Sequence, residues 1–191
     1  MKHRGLFTVF VILLLVILIV EFSNISKILY PFNYVDSINK YSKKYNLDPY
    51  LISAVIKTES NYKSRALSSK NAYGLMQITP DTAEWAAKQM KLDDYKNEKL
   101  FDPDYNINMG CWYLDNLKKE FNGNMDLVLA AYNGGRGNVE KWLADSEHSK
   151  DGVSLHYIPF KETDKYIKRV KVNYNIYKFL YKNKFTSDVI K

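Results

Sequence analysis

Apolar positions recur at helical spacing along most of this chain, and the alternation expected of strands is scarce. In "PYLISAVIKTESNY", residues 49–62, Leu51, Ile52, Val55 and Ile56 share one helix face. The next position on that stripe is a carboxylate, Glu59. Upstream, Val35, Ile38, Tyr41 and Tyr45 predict a helix ending near Asn46. Three helix starts use one device, a capping side chain followed by proline: Asp48–Pro49, Thr79–Pro80 and Asp102–Pro103. The last of these carries its apolar positions to Phe121. A shorter apolar helix starts after Asn124 and is stopped by Gly134 and Gly135. "RGNVEKWL" supplies one or two further turns, and "KETDKYIKRVKVNYNIYKFLY" gives a long closing helix. The pattern predicts an all-α domain of six or seven helices over residues 34–185, followed by a tail at 186–191.

The N-terminus follows another rule. "MKHRG" leads into an uncharged run, "LFTVFVILLLVILIV", residues 6–20. Its length lies between a signal-peptide core and a comfortable membrane span. A cleavable signal would end in a small-x-small site, whereas here Val20 leads into "EFSNISK". Residues 1–21 are therefore expected to be an N-terminal membrane-spanning anchor, with 22–33 a stalk containing Pro31. Lys2 and Arg4 precede the run, which leaves the N-terminus cytoplasmic and the domain outside. Secretion after signal cleavage is the alternative, and it also places the domain outside the cytoplasm.

Composition changes this picture little. Apolar residues are 46% of the chain, enough for a packed core. The 16 tyrosines serve either half-buried packing or stacking on a ligand such as a sugar ring. A net charge of +7 suits any polyanion, such as nucleic acid, an anionic membrane or an anionic cell wall. No basic arm marks a nucleic-acid binder: the charges of "KYIKRVKVNYNIYK" interleave with apolar residues as on a solvated helix face. Cys111 is the only cysteine, so no internal disulfide forms, and it reads as a small core residue. His3, His148 and His156 do not pair at ligand spacing, no Asp or Cys cluster helps them, and no phosphate-cradling loop follows a strand. Neither a metal nor a cofactor is expected.

Glu59 carries the candidate chemistry. It falls in the last turn of its helix, where the helix dipole and an apolar surround both disfavour a carboxylate. An acid that holds its proton near neutral pH can serve as a general acid, as glycosidic bond cleavage requires. By position alone the reading that wins is an ordinary surface glutamate, on a helix whose last turn has reached solvent. The following stretch, "ESNYKSRALSSKNAYGLMQITP", is rich in Ser, Asn and Gly. Gly74 permits a turn or a close backbone approach, and Met76 and Gln77 offer apolar and amide groups suited to a sugar and its acetamido substituent.

"ESNYKSRALSSKNAYGLMQITPDTA" resembles the first signature of the soluble lytic transglycosylase family, and "LAAYNGGRGNVEKW" its later tyrosine-asparagine signature. "LFDPDYNINMGCWYLDNL" and "IPFKETDKYIKRV" resemble the intervening and closing segments, so the likeness covers residues 36–181. It implies a lysozyme-like helical fold that cleaves the N-acetylmuramic acid to N-acetylglucosamine linkage of peptidoglycan. It further implies that Glu59 is the catalytic acid and base and that Tyr132 orients it. Ser68 would contact the substrate's acetamido group, and Gln77 would line the sugar site. Gly74, Met76, Thr79, Asn133 and Glu162 would complete the cleft, Glu162 in a supporting role. Three positions depart from the family's pattern: Thr79 replaces a usual methionine, and Gly134 and Arg136 replace a usual alanine and proline.

Two rival functions differ in chemistry. A lysozyme-type hydrolase on the same fold would need a second acid to activate water, and Asp81, Asp102 and Asp104 are available, each with a helix-cap or first-turn explanation. A non-catalytic wall-binding module would not need the set Glu59, Ser68, Gln77 and Tyr132. Oligomeric state is not legible in the sequence.

Overall fold

The computed structural model describes residues 2–182 and 184; the side chains at 2–9, 19, 20, 22 and 23 are outside the description. The expected tail at 186–191 lies outside the described residues. The described helices are α1 (Lys2–Leu29), α2 (Val35–Tyr45), α3 (Pro49–Ser60), α4 (Pro80–Met90), α5 (Pro103–Glu120), α6 (Met125–Gly134), α7 (Arg136–Ala144) and α8 (Lys161–Leu180). A 3₁₀ segment, Asn97–Phe101, lies between α4 and α5 and was not anticipated from the pattern.

Local chemistry sets the helix ends. The Asp48 carboxylate accepts the Tyr50 N–H at 2.8 Å, and Asp102 accepts that of Tyr105 at 2.8 Å. Thr79 caps α4 and Asn124 caps α6 in the same way. Each such cap stabilises its helix by about 1 kcal/mol. At the other ends, Asn46, Asn61 and Lys91 adopt left-handed backbone and close α2, α3 and α4.

The core is organised around α3, which packs on α2 and α8. Ile52, Ala54, Val55 and Ile56 are fully buried, whereas Leu51, expected on the same stripe, is only half-buried. Burial extends round the helix because neighbours flank it on more than one side. Cys111 is buried as expected, and burial pushes its thiol up. The tyrosines serve mostly as packing: Tyr41, Tyr45, Tyr50, Tyr62, Tyr113, Tyr166 and Tyr177 are all buried.

The N-terminal segment departs from expectation. α1 continues unbroken through residues 22–29, where a stalk was expected, because nothing before Pro31 interrupts a helix. It then meets α8: the Tyr181 hydroxyl donates to the Tyr30 carbonyl at 2.6 Å, and that of Tyr177 to Pro31 at 2.9 Å. Among the described residues, no helix is long and apolar enough to cross a membrane. Of the uncharged run, Phe10 and residues 12–18 are described as exposed.

Candidate active site

Residues 61–79 leave the end of α3 and fold back beside it. Tyr73 forms isolated antiparallel bridges with Leu67 and Ile78, so this stretch is a built wall rather than an open loop. Ser60 fastens it to α3 by donating to the Leu75 carbonyl at 2.8 Å. The buried Asn106 of α5 fastens it from the other side. Its amide nitrogen donates to the carbonyls of Leu100 (2.8 Å) and Tyr73 (3.0 Å), and its oxygen accepts the Met76 N–H at 2.8 Å. A buried amide satisfied at both ends fixes backbone positions strongly, because any shift would strand a polar group. Gly74 makes the approach possible: its φ is +73°, and a Cβ there would lie 2.2 Å from the Leu100 carbonyl oxygen. No other residue fits.

Glu59 sits in the last turn of α3, half-buried, with Tyr166 and Arg169 of α8 beside it. Burial pushes its carboxyl up to about 7. Two groups of α8, the Tyr166 hydroxyl and the Arg169 guanidinium, oppose that shift by favouring the charged form, and Glu162 reinforces it. The Tyr166 hydroxyl is buried beside the carboxyl without closing to a hydrogen bond of ordinary geometry. Sequence reasoning missed Tyr166 and Arg169 as site residues. Both sit on α8 near Glu162, on the stretch already matched to the closing segment, and that was the available signal.

Tyr132 interacts with the acid and also with the wall. It lies in the field of Glu59, yet its hydroxyl donates to the Met76 carbonyl at 2.8 Å. In this structure it braces the wall, and Tyr166 is the hydroxyl that faces the acid. Met76 departs from expectation: its side chain has no exposed surface and packs on Gly110, where a Cβ would come within 2.4 Å of its sulfur. It is core and presents nothing to a sugar. The reason is the close fit of the wall on α5, which turns Met76 inward.

The remaining candidates hold shape or face solvent. Gln77, at φ +48°, donates from its amide nitrogen to the carbonyls of Gly74 (2.9 Å) and Ala66 (3.3 Å). The Ser68 hydroxyl accepts the Ala72 N–H at 3.1 Å, and Thr79 is occupied as the α4 cap. Asn133 accepts from Thr163 at 2.9 Å and ties α6 to α8. Glu162 is exposed and pairs with Lys70 at 2.9 Å, linking α8 to the wall.

Two of the three acids considered as activators of water are engaged elsewhere. Asp102 caps α5, and Asp104 accepts from Ser37 (2.7 Å) and Tyr41 (2.6 Å). Asp81 instead lines a groove of about 450 Å³ with Trp85, Tyr113, Gly135 and Arg136. That groove continues from Tyr132 through ring contacts, Tyr132 to Tyr113 at 5.4 Å and Tyr113 to Trp85 at 6.2 Å. Arg136, one of the departures from the family's pattern, stands over the Trp85 ring at 5.5 Å and pairs with Glu120 at 3.1 Å. One expectation about histidine needs correcting. His148 does have acidic neighbours, since Asp145, Glu147 and His148 each place a possible ligand atom within 4.8 Å of the others. The chain reversal after α7 brings these near-adjacent residues together, and Asp145 spends one oxygen on the Glu147 N–H at 2.9 Å.

Comparison with known proteins agrees with this architecture. The family model for the Transglycosylase SLT domain matches residues 36–154. The soluble lytic murein transglycosylase of Salmonella typhimurium is 35% identical over 143 residues, 74% of this chain and 22% of that protein. Membrane-bound lytic murein transglycosylase C of Serratia proteamaculans is 36% identical over 129 residues, 63% of this chain and 36% of that protein. Among solved structures, the 70 kDa soluble lytic transglycosylase of Escherichia coli superposes with a TM-score of 0.72 at 30% identity, over 81% of this chain and 25% of that one. An inactive mutant of the lytic transglycosylase Slt from Pseudomonas aeruginosa gives 0.71 at 30% identity, over 86% and 26%. The chain thus spans between about a fifth and about a third of these relatives' length. Over residues 36–154, which hold Glu59 and the wall that follows it, the chain belongs to the Transglycosylase SLT domain family.

Proposed function

We propose that this chain is a peptidoglycan lytic transglycosylase, cleaving the β-1,4 bond between N-acetylmuramic acid and N-acetylglucosamine with Glu59 as its single acid and base. The observation that carries the reading is a desolvated carboxyl held up to about 7 at the end of α3, in a chain of this family. Glu59 gives its proton to the bridging oxygen, and the bond from that oxygen to the muramyl C1 breaks. The oxocarbenium-like centre is met by the substrate's own acetamido oxygen. The Glu59 carboxylate then takes the proton of the sugar's 6-hydroxyl, whose oxygen bonds to C1 and forms a 1,6-anhydro end. Intramolecular attack of this kind benefits from high effective molarity when water is kept out.

The groups around Glu59 suit both halves of this cycle. Burial favours the protonated acid at the outset, while Tyr166 and Arg169 favour the carboxylate once the proton has left. Burial outweighs the two opposing groups and leaves the pKa near neutrality, where proton transfer in either direction is least costly. The groove past Tyr113 and Trp85 would carry further sugars of the strand on aromatic faces. Ser68, Gln77, Asn133 and Glu162 are proposed as substrate contacts around this centre.

The N-terminal helix is proposed as a membrane anchor with the domain extracytoplasmic. The uncharged run at 6–20, an unbroken helix from Lys2 to Leu29 and its exposed apolar side chains support this reading. Digestion of purified peptidoglycan tests the whole proposal. Wild type should release anhydro-muropeptides, one water lighter than hydrolytic products, and Glu59→Gln should release none. Reducing ends in their place would make the enzyme a hydrolase.

A further inference from the structure

The end of α1 and the end of α8 enclose a groove of about 560 Å³, lined by Lys27, Phe179, Leu180, Tyr181, Lys182 and Lys184. Three lysines and no acid line it. Lys27 and Lys182 have no ion-pair partner among the described residues, and Lys184 lies over the rings of Phe32 (5.0 Å) and Tyr181 (5.7 Å). Apolar side chains stand beside the cations in solvent: Phe179 is 77% exposed and Ile28 78%. A cationic groove that no acid compensates among the described residues, beside exposed apolar surface, calls for a ligand that is both anionic and greasy.

The groove is built rather than incidental. The Tyr181 and Tyr177 hydroxyls bond α8 to the backbone at Tyr30 and Pro31, and Tyr50 donates to the Tyr181 carbonyl at 2.6 Å. Phe32 stacks on Tyr181 with ring centroids 4.7 Å apart. These contacts hold the two helix ends at a fixed separation.

Depth identifies the ligand. Lys27 follows Val20, the last residue of the uncharged run, by about 10 Å of helix. Headgroups add roughly 5–8 Å beyond each edge of a bilayer's hydrocarbon core. Helical side chains lean toward the N-terminus, so the Lys27 ammonium reaches back toward that layer. We propose that the groove binds the phosphate headgroup of an anionic phospholipid, with Phe179 and Ile28 resting at its acyl side. This rests on the anchor reading above. Its consequence is a catalytic domain seated on the membrane surface at a set angle, since α8 carries both the groove and the groups that face Glu59.

The test uses the full chain in nanodiscs holding equal phosphatidylcholine and phosphatidylglycerol, with retained lipids read by native mass spectrometry. Wild type should keep phosphatidylglycerol over phosphatidylcholine by about tenfold, the scale that a few lysines in the headgroup layer confer. The triple variant Lys27→Gln, Lys182→Gln, Lys184→Gln should lose that preference. A charge-matched control, Lys43→Gln, Lys91→Gln, Lys141→Gln, should keep it. Equal retention of the two lipids by wild type, preference surviving in the groove variant, or equal loss in the control would each overturn the proposal. A chain that fails to float with vesicles of either lipid would instead sink the anchor reading, and this inference with it.

Discussion

The hydroxyl of Tyr132 donates to the main-chain carbonyl of Met76 at 2.8 Å, while the hydroxyl facing Glu59 comes from Tyr166 on α8. The two tyrosines therefore have separable tasks. Tyr166 acts on the charge of the acid, and Tyr132 holds the wall beside it.

Replacing Tyr166 with Phe removes a group that favours the Glu59 carboxylate, so the acid's pKa should rise from about 7. Under the proposed mechanism cleavage requires the protonated form at the outset, so the alkaline limb of kcat/KM should move to higher pH. Tyr132→Phe should lower activity with little movement of that limb. A pH–rate profile for each variant checks the division, and a larger displacement in Tyr132→Phe would reverse the assignment.

Glu162→Gln should act in the opposite sense. Its charge raises the Glu59 pKa, so neutralising it should move the alkaline limb to lower pH. The Lys70 pair it breaks is solvent-exposed, and its loss should cost no more than about 1 kcal/mol in urea unfolding.

Glu59 also links stability to pH. Its folded pKa of about 7 lies above the ordinary carboxyl value of 4.5, so the unfolded chain releases this proton first as pH rises. Its contribution is fully present below 4.5 and is lost as pH climbs through about 7. Glu59→Gln should then be more stable than wild type at pH 8, by up to roughly 3 kcal/mol. The gap should close below about pH 4.5. Denaturant melts at acid and alkaline pH measure it, and a gap independent of pH would show that the carboxyl is not held protonated.

Gly74→Ala should collapse the wall. The new methyl group meets the Leu100 carbonyl and the Asn106 amide, and the backbone there is left-handed. A loss of about 2–4 kcal/mol is expected, from strain and overpacking together. Activity should fall further than global stability, because Met76, Gln77 and the Tyr132 bond all depend on that turn. Comparing melts with turnover at a temperature where both proteins are folded separates the two.

Much of the helical scaffold was determined by the sequence itself. Asp48–Pro49, Thr79–Pro80 and Asp102–Pro103 name their helix starts because capping and proline act within a few residues of chain. Glu59 drew notice as a carboxyl on an apolar stripe, but its position alone favoured a surface residue, and only the family likeness made it a candidate. The continuation of α1 past residue 22 was not read, since the polarity of that stretch suggested an exit from the helix and its backbone did not require one. The direction of side chains across the fold was decided only in three dimensions. Met76 turns inward because α5 presents Gly110 beneath it, and the Tyr132 hydroxyl reaches a carbonyl that the wall places before it. Tyr166 and Arg169 meet Glu59 only because α8, more than a hundred residues later, lies along α3. Desolvation belongs to that tertiary level too. A lone helix would leave the carboxyl in water at its ordinary pKa, and the packing around it in the folded chain is what raises that pKa toward neutrality.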